Sequence, residues 1–98
     1  MTLEQALQTL RKAEAELRAK GIVHAGIFGS TARGEQRADS DIDIVIDFDP
    51  KARITVFDYV GVKEDIAGLF DQRVDVVDQR GLKPEVRPNV TRDLVYAF

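Results

Sequence analysis

The amino-acid sequence predicts an α+β fold, in which short apolar strands alternate with amphipathic helices. Three segments carry the runs of β-branched and apolar residues that are typical of strands: 22–28, 41–48 and 73–78. The segments around them place apolar residues three and four positions apart, which is the spacing of a helix with one buried face. The chain has 98 residues, enough for one domain, and we expect residues 1–98 to form it.

The composition excludes several classes of protein. The chain is 44% hydrophobic and 32% charged, with a formal net charge of −3. Direct binding of nucleic acid is not expected, because a binder of that kind needs a basic cluster for the phosphate backbone. The absence of cysteine excludes disulfides and thiolate chemistry. No apolar run approaches the length of a membrane span and no signal peptide is recognisable, so we expect a cytoplasmic protein.

The first helix is predicted over residues 2–20. Its apolar stripe comprises Leu3, Ala6, Leu7, Leu10, Ala13 and Leu17. Thr2 and Gln5 suit a capping box at the start of this helix. The strand 22–28 follows, and we interpret His24, the sole histidine, as a partly exposed strand residue without a chemical role.

The Gly29-Ser30 turn after this strand predicts an anion site. A brief helix is expected from Thr31 to about Gln36, so that backbone N–H groups at its start point towards a bound anion. Arg33 lies about one helical turn beyond Ser30 and can add a forked cation to the same anion. For this pair of residues taken alone, a polar turn without a ligand is the alternative.

An acidic strand follows the turn, and its carboxylates predict a metal site. In an extended chain Asp41 and Asp43 share one face, about 6.5–7 Å apart, and apolar residues occupy the other. Two carboxylates this close repel each other, and a divalent cation such as Mg²⁺ relieves the repulsion while it binds substrate phosphates. Asp47 lies roughly 13 Å beyond Asp43, too far to share the ion, and is interpreted as a strand-end residue. Solvated aspartates on a half-buried strand are the alternative.

The next predicted elements are a helix from Thr55 to about Phe70 and the strand Arg73–Asp78. Asp75 is the acidic residue inside that strand. A lone strand aspartate is usually an exposed-face residue. If this strand pairs beside the segment 41–48, however, Asp75 joins Asp41 and Asp43.

The C-terminal region contains a turn, a helix and an apolar tail. The turn is Gly81-Leu82-Lys83-Pro84, and a short helix is expected from Glu85 to about Arg92, with Pro88 limiting its length. The tail, residues 94–98, is expected either to dock on the core as a short strand or to meet a partner.

The motif Gly29-Ser30-x-Ala32-Arg33-Gly34, followed by Ser40-Asp41-x-Asp43, resembles the signature of the polymerase-beta-like nucleotidyltransferase superfamily. The short length and the Leu82-Lys83-Pro84 stretch resemble its minimal nucleotidyltransferase branch. The resemblance implies a polymerase-beta-like nucleotidyltransferase fold, with a small mixed β-sheet and helices packed mainly on one face. Members of this branch are often antitoxins paired with toxins of the HEPN ribonuclease class.

The resemblance also implies roles for the acidic residues. Asp41 and Asp43 would bind two Mg²⁺ ions, about 3.5–4 Å apart, which clamp the attacking and leaving oxygens. Superfamily members carry a third acidic residue on a neighbouring strand, and Asp75 stands at that position. It would bind the metal near the acceptor and help to deprotonate the attacking hydroxyl.

The same resemblance implies that ATP is the substrate. Gly29 and Ser30 would hold its β- and γ-phosphates. Arg33 would neutralise the charge that builds on the departing pyrophosphate, which stabilises the transition state.

The expected activity is therefore Mg-dependent transfer of AMP from ATP to a hydroxyl of a partner protein. The resemblance suggests a tyrosine of a HEPN-type toxin, silenced by adenylylation. A chain this short has no room for an additional domain that holds a small acceptor. Two alternatives stay open: a non-catalytic antitoxin-like module that neutralises its partner by masking it, and a nucleotidyltransferase that modifies a small molecule in an oligomeric crevice. The sequence leaves the oligomeric state, with itself or with a partner, undecided.

Overall fold

The computed structural model describes residues 1–98 and confirms the predicted α+β fold. Its strands are β1 (Ile22–Phe28), β2 (Ile42–Phe48), β3 (Val74–Asp78) and β4 (Val95–Tyr96). Its helices are α1 (Leu3–Lys12), α2 (Glu14–Ala19), α3 (Gly29–Arg33), α4 (Val56–Ala67) and α5 (Arg87–Asp93), with a 3-10 turn at Gln79–Gly81. None of these helices combines the length and the apolar character that crossing a bilayer requires.

The four strands form one mixed sheet in the order β3-β2-β1-β4. β1 pairs antiparallel with β2 and with β4, whereas β2 and β3 are parallel. Parallel neighbours need a crossover connection, and α4 is the helix in that connection. In this strand order β3 lies at one edge of the sheet, with only β2 beside it.

The hydrophobic core lies on one face of the sheet, beneath α1, α2 and α4. Alternate residues of β2 supply the sheet side of this core: Ile42, Ile44, Ile46 and Phe48 are all buried. The helices contribute the apolar stripe predicted for the N-terminal segment, together with Val62 and Ile66 of α4. Val45 and Val90 are buried outside this cluster. The parity of Val45 places it on the opposite face of β2. The opposite face is therefore only partly covered.

The prediction of one continuous helix over residues 2–20 is wrong, since the helix is interrupted at Ala13. The backbone N–H of Ala13 donates to the Leu10 carbonyl (3.1 Å), an i to i−3 bond that tightens the turn. The residue has φ −96° and ψ 5°, outside the helical region. Leu17 in α2 is still buried, so the interruption keeps the stripe on the core.

Several other boundaries differ from the prediction by one to three residues, including those of β2 and of the short helix before it. β2 begins at Ile42 rather than at Asp41, because the ladder to the next strand begins where the Ile42 N–H donates to the Arg73 carbonyl (3.0 Å). The short helix begins at Gly29 and ends at Arg33 rather than near Gln36, because Gly34 adopts the left-handed conformation (φ 74°) that terminates it.

The C-terminal region docks on the sheet. α5 extends through Asp93, and Pro88 does not limit its length, since it lies in the first turn where the missing N–H has no helical partner. The apolar tail forms β4, which pairs with β1 through Gly26 opposite Tyr96 and Ile27 opposite Val95. His24 is exposed and its ring lies 5.5 Å from that of Tyr96.

Candidate active site

The corner between β1 and α3 lies directly against an acidic side chain of β2. Phe28, the last residue of β1, pairs with Asp43. The next residue, Gly29, has φ +72°, and a Cβ atom there would overlap Oδ2 of Asp43 and lie 3.1 Å from its Cγ. Only glycine satisfies both conditions, because it has no side chain and accepts a positive φ. The predicted phosphate-binding turn and the predicted acidic strand are therefore in contact.

A second carboxylate faces Asp43 from the neighbouring strand. In the parallel register of β2 and β3, Asp43 pairs with Asp75, so the two side chains lie on the same face of the sheet. Asp43 is half-buried, whereas Asp75 is exposed. The structure thus brings together two acids that are separated by 32 positions in the sequence, as the sequence analysis required of them.

Asp41 lies just before β2 and has a different neighbour. Its Oδ1 forms an ion pair with Nε of Arg73 at 3.2 Å, and both side chains are largely exposed. An exposed pair of this kind contributes little to stability. Asp41 is nevertheless near enough for its charge to act on Asp43.

The electrostatics of the site centre on Asp43. Burial raises the pKa of this carboxyl, and the negative charges of Asp75 and then Asp41 raise it further. The positive charge of Arg33 opposes them. A second cation placed between the acids would relieve the same repulsion, which is the physical basis for a metal here.

Arg33 is held by two carboxylates. Its Nη1 donates to Oδ2 of Asp93 at 2.6 Å, and its Nε donates to Oε2 of Glu35 at 3.0 Å. These hydrogen bonds, that of Glu35 first, raise the pKa of Arg33. Arg92 also donates to Asp93 (3.1 Å), and both arginines lower the pKa of that carboxyl.

Asp93 is the site residue that sequence reasoning missed. Its side chain is only 6% exposed, and it connects the end of α5 to α3 across 60 positions of sequence. No local pattern signals this contact, because it depends on how the C-terminal segment docks. Glu35 is the second partner of Arg33.

Ser30 occupies the first turn of α3, where backbone N–H groups lack helical partners. α3 has only five residues, so these N–H groups would attract an anion more strongly than the dipole of so short a helix. The arrangement is a corner whose geometry suits an anion, with an arginine beyond it and carboxylates beside it, and the nucleotide-binding roles of Gly29, Ser30 and Arg33 stay predictions.

The donor set fits magnesium, although no group of three acidic, histidine or cysteine side chains is placed to hold one ion in common. Mg²⁺ is usually bound through one or two carboxylates, with water and substrate phosphates completing its shell. The facing pair Asp43 and Asp75 matches that pattern. The roles of Asp41, Asp43 and Asp75 as metal ligands stay predictions.

Comparison with known proteins identifies the family. Residues 9–97 match the family model of the nucleotidyltransferase domain. The chain belongs to this family. The resemblance inferred from the Gly-Ser and Asp-x-Asp motifs is thereby confirmed, and the protein is a nucleotidyltransferase.

The similarity to individual relatives covers nearly the whole chain. The protein adenylyltransferase MntA of Thermococcus cleftensis is 36% identical over 97 residues, covering 98% of this chain and 96% of that one. A solved minimal nucleotidyltransferase is 41% identical with a TM-score of 0.74, covering 97% and 95% of the two chains. A chain of a toxin–antitoxin complex solved with AMP-PNP has a TM-score of 0.73 at 22% identity, covering 94% of this chain and 72% of its own length, and shows the fold alone.

Proposed function

We propose that this nucleotidyltransferase transfers AMP from ATP to a hydroxyl of a partner protein, as the cytoplasmic antitoxin of a HEPN-type toxin. The single observation that carries the reaction is the facing pair Asp43 and Asp75 against the Gly29-Ser30 corner. The acceptor class rests on the relative named as a protein adenylyltransferase and on the toxin–antitoxin complexes that share the fold. We take residues 1–98 as one catalytic domain.

The proposed transfer forms one bond and breaks one at the α-phosphorus, and moves one proton. The acceptor oxygen attacks the α-phosphorus of ATP, and the bond from that phosphorus to the bridging oxygen of the β-phosphate breaks. Pyrophosphate leaves with the electron pair, and Asp75 accepts the proton of the hydroxyl. Asp75 suits this role because it is the exposed member of the pair, open to an incoming protein.

The remaining residues bind and orient the triphosphate. Backbone N–H groups at Gly29 and the hydroxyl of Ser30 hold the β- and γ-phosphates. Arg33 keeps donors for them, since its guanidinium has five N–H groups and the contacts to Glu35 and Asp93 engage only Nε and Nη1. Asp43, with Asp41 and Asp75, would hold Mg²⁺, which supplies charge neutralisation at the phosphates when bound.

The test uses ATP labelled at different phosphates, with the product of the gene adjacent to this chain's gene, the candidate toxin, as the acceptor. Label at the α-phosphate is expected on the acceptor, and label at the γ-phosphate is expected in pyrophosphate. Asp75→Asn is expected to lower kcat by about 10²–10⁴-fold, the range for loss of a general base. Transfer of the γ-label would identify a kinase and overturn the proposal.

Asp47 provides the matched control. It lies on β2 with the same parity as Asp43, it is half-buried, and burial likewise raises its pKa, but it pairs with His24 rather than with Phe28 beside the corner. Asp47→Asn is expected to retain transfer, whereas Asp43→Asn abolishes it. Tight binding of the toxin by both variants, with no labelled product from the wild type, would favour the masking alternative. A labelled small molecule would favour the third.

A further inference from the structure

The two carboxylates that contact Arg33 differ in burial and in attachment. The side chain of Asp93 is 6% exposed, and it reaches Arg33 from the end of α5, across 60 positions of sequence. The side chain of Glu35 is 65% exposed and belongs to a residue only two positions beyond Arg33. Because Asp93 is buried, it can leave Arg33 only if α5 also moves. Glu35 can leave by rotation of its own side chain.

The backbone fixes the position of Glu35 beside the corner. Gly34 ends α3 in the left-handed conformation and turns the chain back. The N–H of Glu35 then donates to the carbonyl of Ser30 at 2.9 Å. Glu35 is therefore hydrogen-bonded to the residue proposed to bind the β- and γ-phosphates, and its charge stays near the corner whether or not its side chain contacts Arg33.

The guanidinium of Arg33 has a donor edge that Glu35 half occupies. Arg33 donates through Nε to Glu35 and through Nη1 to Asp93. A guanidinium binds an oxyanion most strongly through two parallel N–H groups, which are either those of Nε and Nη2 or those of Nη1 and Nη2. With Nε and Nη1 engaged, neither pair is wholly free. If Glu35 moves away, Nε and Nη2 form a complete fork while Asp93 remains on Nη1.

The charges of this cluster lead to the same conclusion. Arg33 and Arg92 both donate to Asp93, at 2.6 Å and 3.1 Å, and Glu35 adds a second carboxylate. Two arginines thus face two carboxylates, and their formal charges cancel. A triphosphate is strongly anionic, so its binding here is opposed by the charge of Glu35 and favoured when that charge moves away.

We propose that Glu35 is a positioning residue that competes with the triphosphate for Arg33. Glu35 and a phosphate alternate at the fork of Nε and Nη2, whereas Asp93 stays on Nη1 and fixes the guanidinium beside the corner. The inference rests on the proposed function and adds how the nucleotide gains its arginine. It follows that the two carboxylates have opposite effects: Glu35 weakens binding of the triphosphate and Asp93 strengthens it.

The test titrates ATP into the full chain by calorimetry, with Mg²⁺ and without acceptor, so that no AMP is transferred. Glu35→Gln is expected to bind ATP about two- to fivefold more tightly than the wild type, the range in which an exposed ion pair changes an equilibrium. Asp93→Asn is expected to bind ATP about tenfold more weakly, the scale of one hydrogen bond to a charged group. Each change removes one negative charge, so a general electrostatic effect would give both the same sign.

Glu14→Gln is the matched control. Oε2 of Glu14 accepts a hydrogen bond from Nε of Arg18 at 2.7 Å, as Oε2 of Glu35 does from Arg33. This pair lies in α2, on the core side of the sheet, so Glu14→Gln is expected to bind ATP like the wild type. AMP is the matched ligand, because it lacks the β- and γ-phosphates. Glu35→Gln is expected to leave the affinity for AMP unchanged.

A double-mutant comparison shows whether the effect passes through Arg33. In an Arg33→Met background, where Asp93 keeps Arg92 as its partner, Glu35→Gln is expected to cause no tightening. The inference is overturned if Glu35→Gln does not tighten ATP binding, or if Glu14→Gln tightens it equally. It is also overturned if Asp93→Asn tightens binding, or if the effect of Glu35→Gln extends to AMP or survives the loss of Arg33.

The competition and the reaction fail separately. If the wild type transfers AMP but Glu35→Gln binds ATP no more tightly, the competition is wrong and the reaction stands. If Glu35→Gln tightens ATP binding but the wild type transfers no AMP to the adjacent gene's product, the reaction is wrong and the competition stands. If the wild type does not bind ATP at all, both are overturned.

Discussion

The contact between Gly29 and Asp43 leads to a quantitative prediction for Gly29→Ala. An alanine at φ +72° is in the left-handed region, which costs about 1–2 kcal/mol for a residue with a Cβ atom. The new Cβ would also overlap Asp43 Oδ2, and displacing that side chain from its rotamer costs about 0.5–1.5 kcal/mol more. For a domain of this size, 1 kcal/mol changes the Tm by about 4–8 °C. Gly29→Ala is therefore expected to lower the Tm by roughly 6–28 °C.

Gly34→Ala separates the two contributions. Gly34 has nearly the same backbone angle, φ +74°, but an added Cβ would have no neighbour within 4 Å. It therefore carries the backbone cost without the overlap. The difference in Tm between the two variants, roughly 2–12 °C, isolates the approach of the corner to the carboxylate. Scanning calorimetry in metal-free buffer measures both.

A double-mutant comparison completes the test. In an Asp43→Ala background the overlapping oxygen is absent, so Gly29→Ala should cost no more than Gly34→Ala costs in the wild type. Equal Tm values for Gly29→Ala and Gly34→Ala in the wild type would refute the reasoning. So would an unchanged cost of Gly29→Ala after Asp43 is removed.

Two further predictions concern charge. Asp43→Asn is expected to raise the Tm at pH 7. Because burial, Asp75 and Asp41 raise the folded pKa of Asp43, stability falls as the pH rises from the unfolded value of about 4 through the folded value. The Tm advantage of Asp43→Asn over wild type should therefore grow from acid to neutral pH in metal-free calorimetry, and an advantage that shrinks would contradict this. Asp93→Asn is expected to raise the KM for ATP more than it lowers kcat, because it loosens Arg33 without touching the acids. The pKa of Asp93 is lowered in the fold, so its stabilisation is present above the unfolded pKa and is lost as the pH falls. A destabilisation by Asp93→Asn that persists fully in acid would contradict the ion pair.

Much of the fold was predictable because its signals are local. The segment 22–28 was placed at its observed bounds, and β2 and β3 were placed to within a residue, by the apolar runs that strands require. The capping residue Thr55 marked the start of α4 correctly. The break at Ala13 was not predictable, because the apolar stripe continues across it without a change of spacing.

The candidate site was likewise predictable only where its signals are local. The parity of a strand is local, so the sequence could place Asp75 on one face of its strand and the isoleucines of β2 on one face of theirs. The partners of Arg33 could not be placed, since Asp93 comes from the docked C-terminal segment. The exposure of Val56, Phe57 and Val60 in α4 was also missed, because the spacing of apolar residues alone does not show which of them are buried.

The sequence by itself determined which residues are candidates for the chemistry. A glycine-flanked turn and alternating carboxylates are short-range features, so they can be recognised from their spacing along the chain. The tertiary structure alone decided that Asp43 faces Asp75, that Gly29 lies against Asp43, and that Arg33 meets Asp93. Those relations depend on strand register and on the docking of the C-terminal segment, which are set by packing across the whole sheet rather than by any neighbour in the chain.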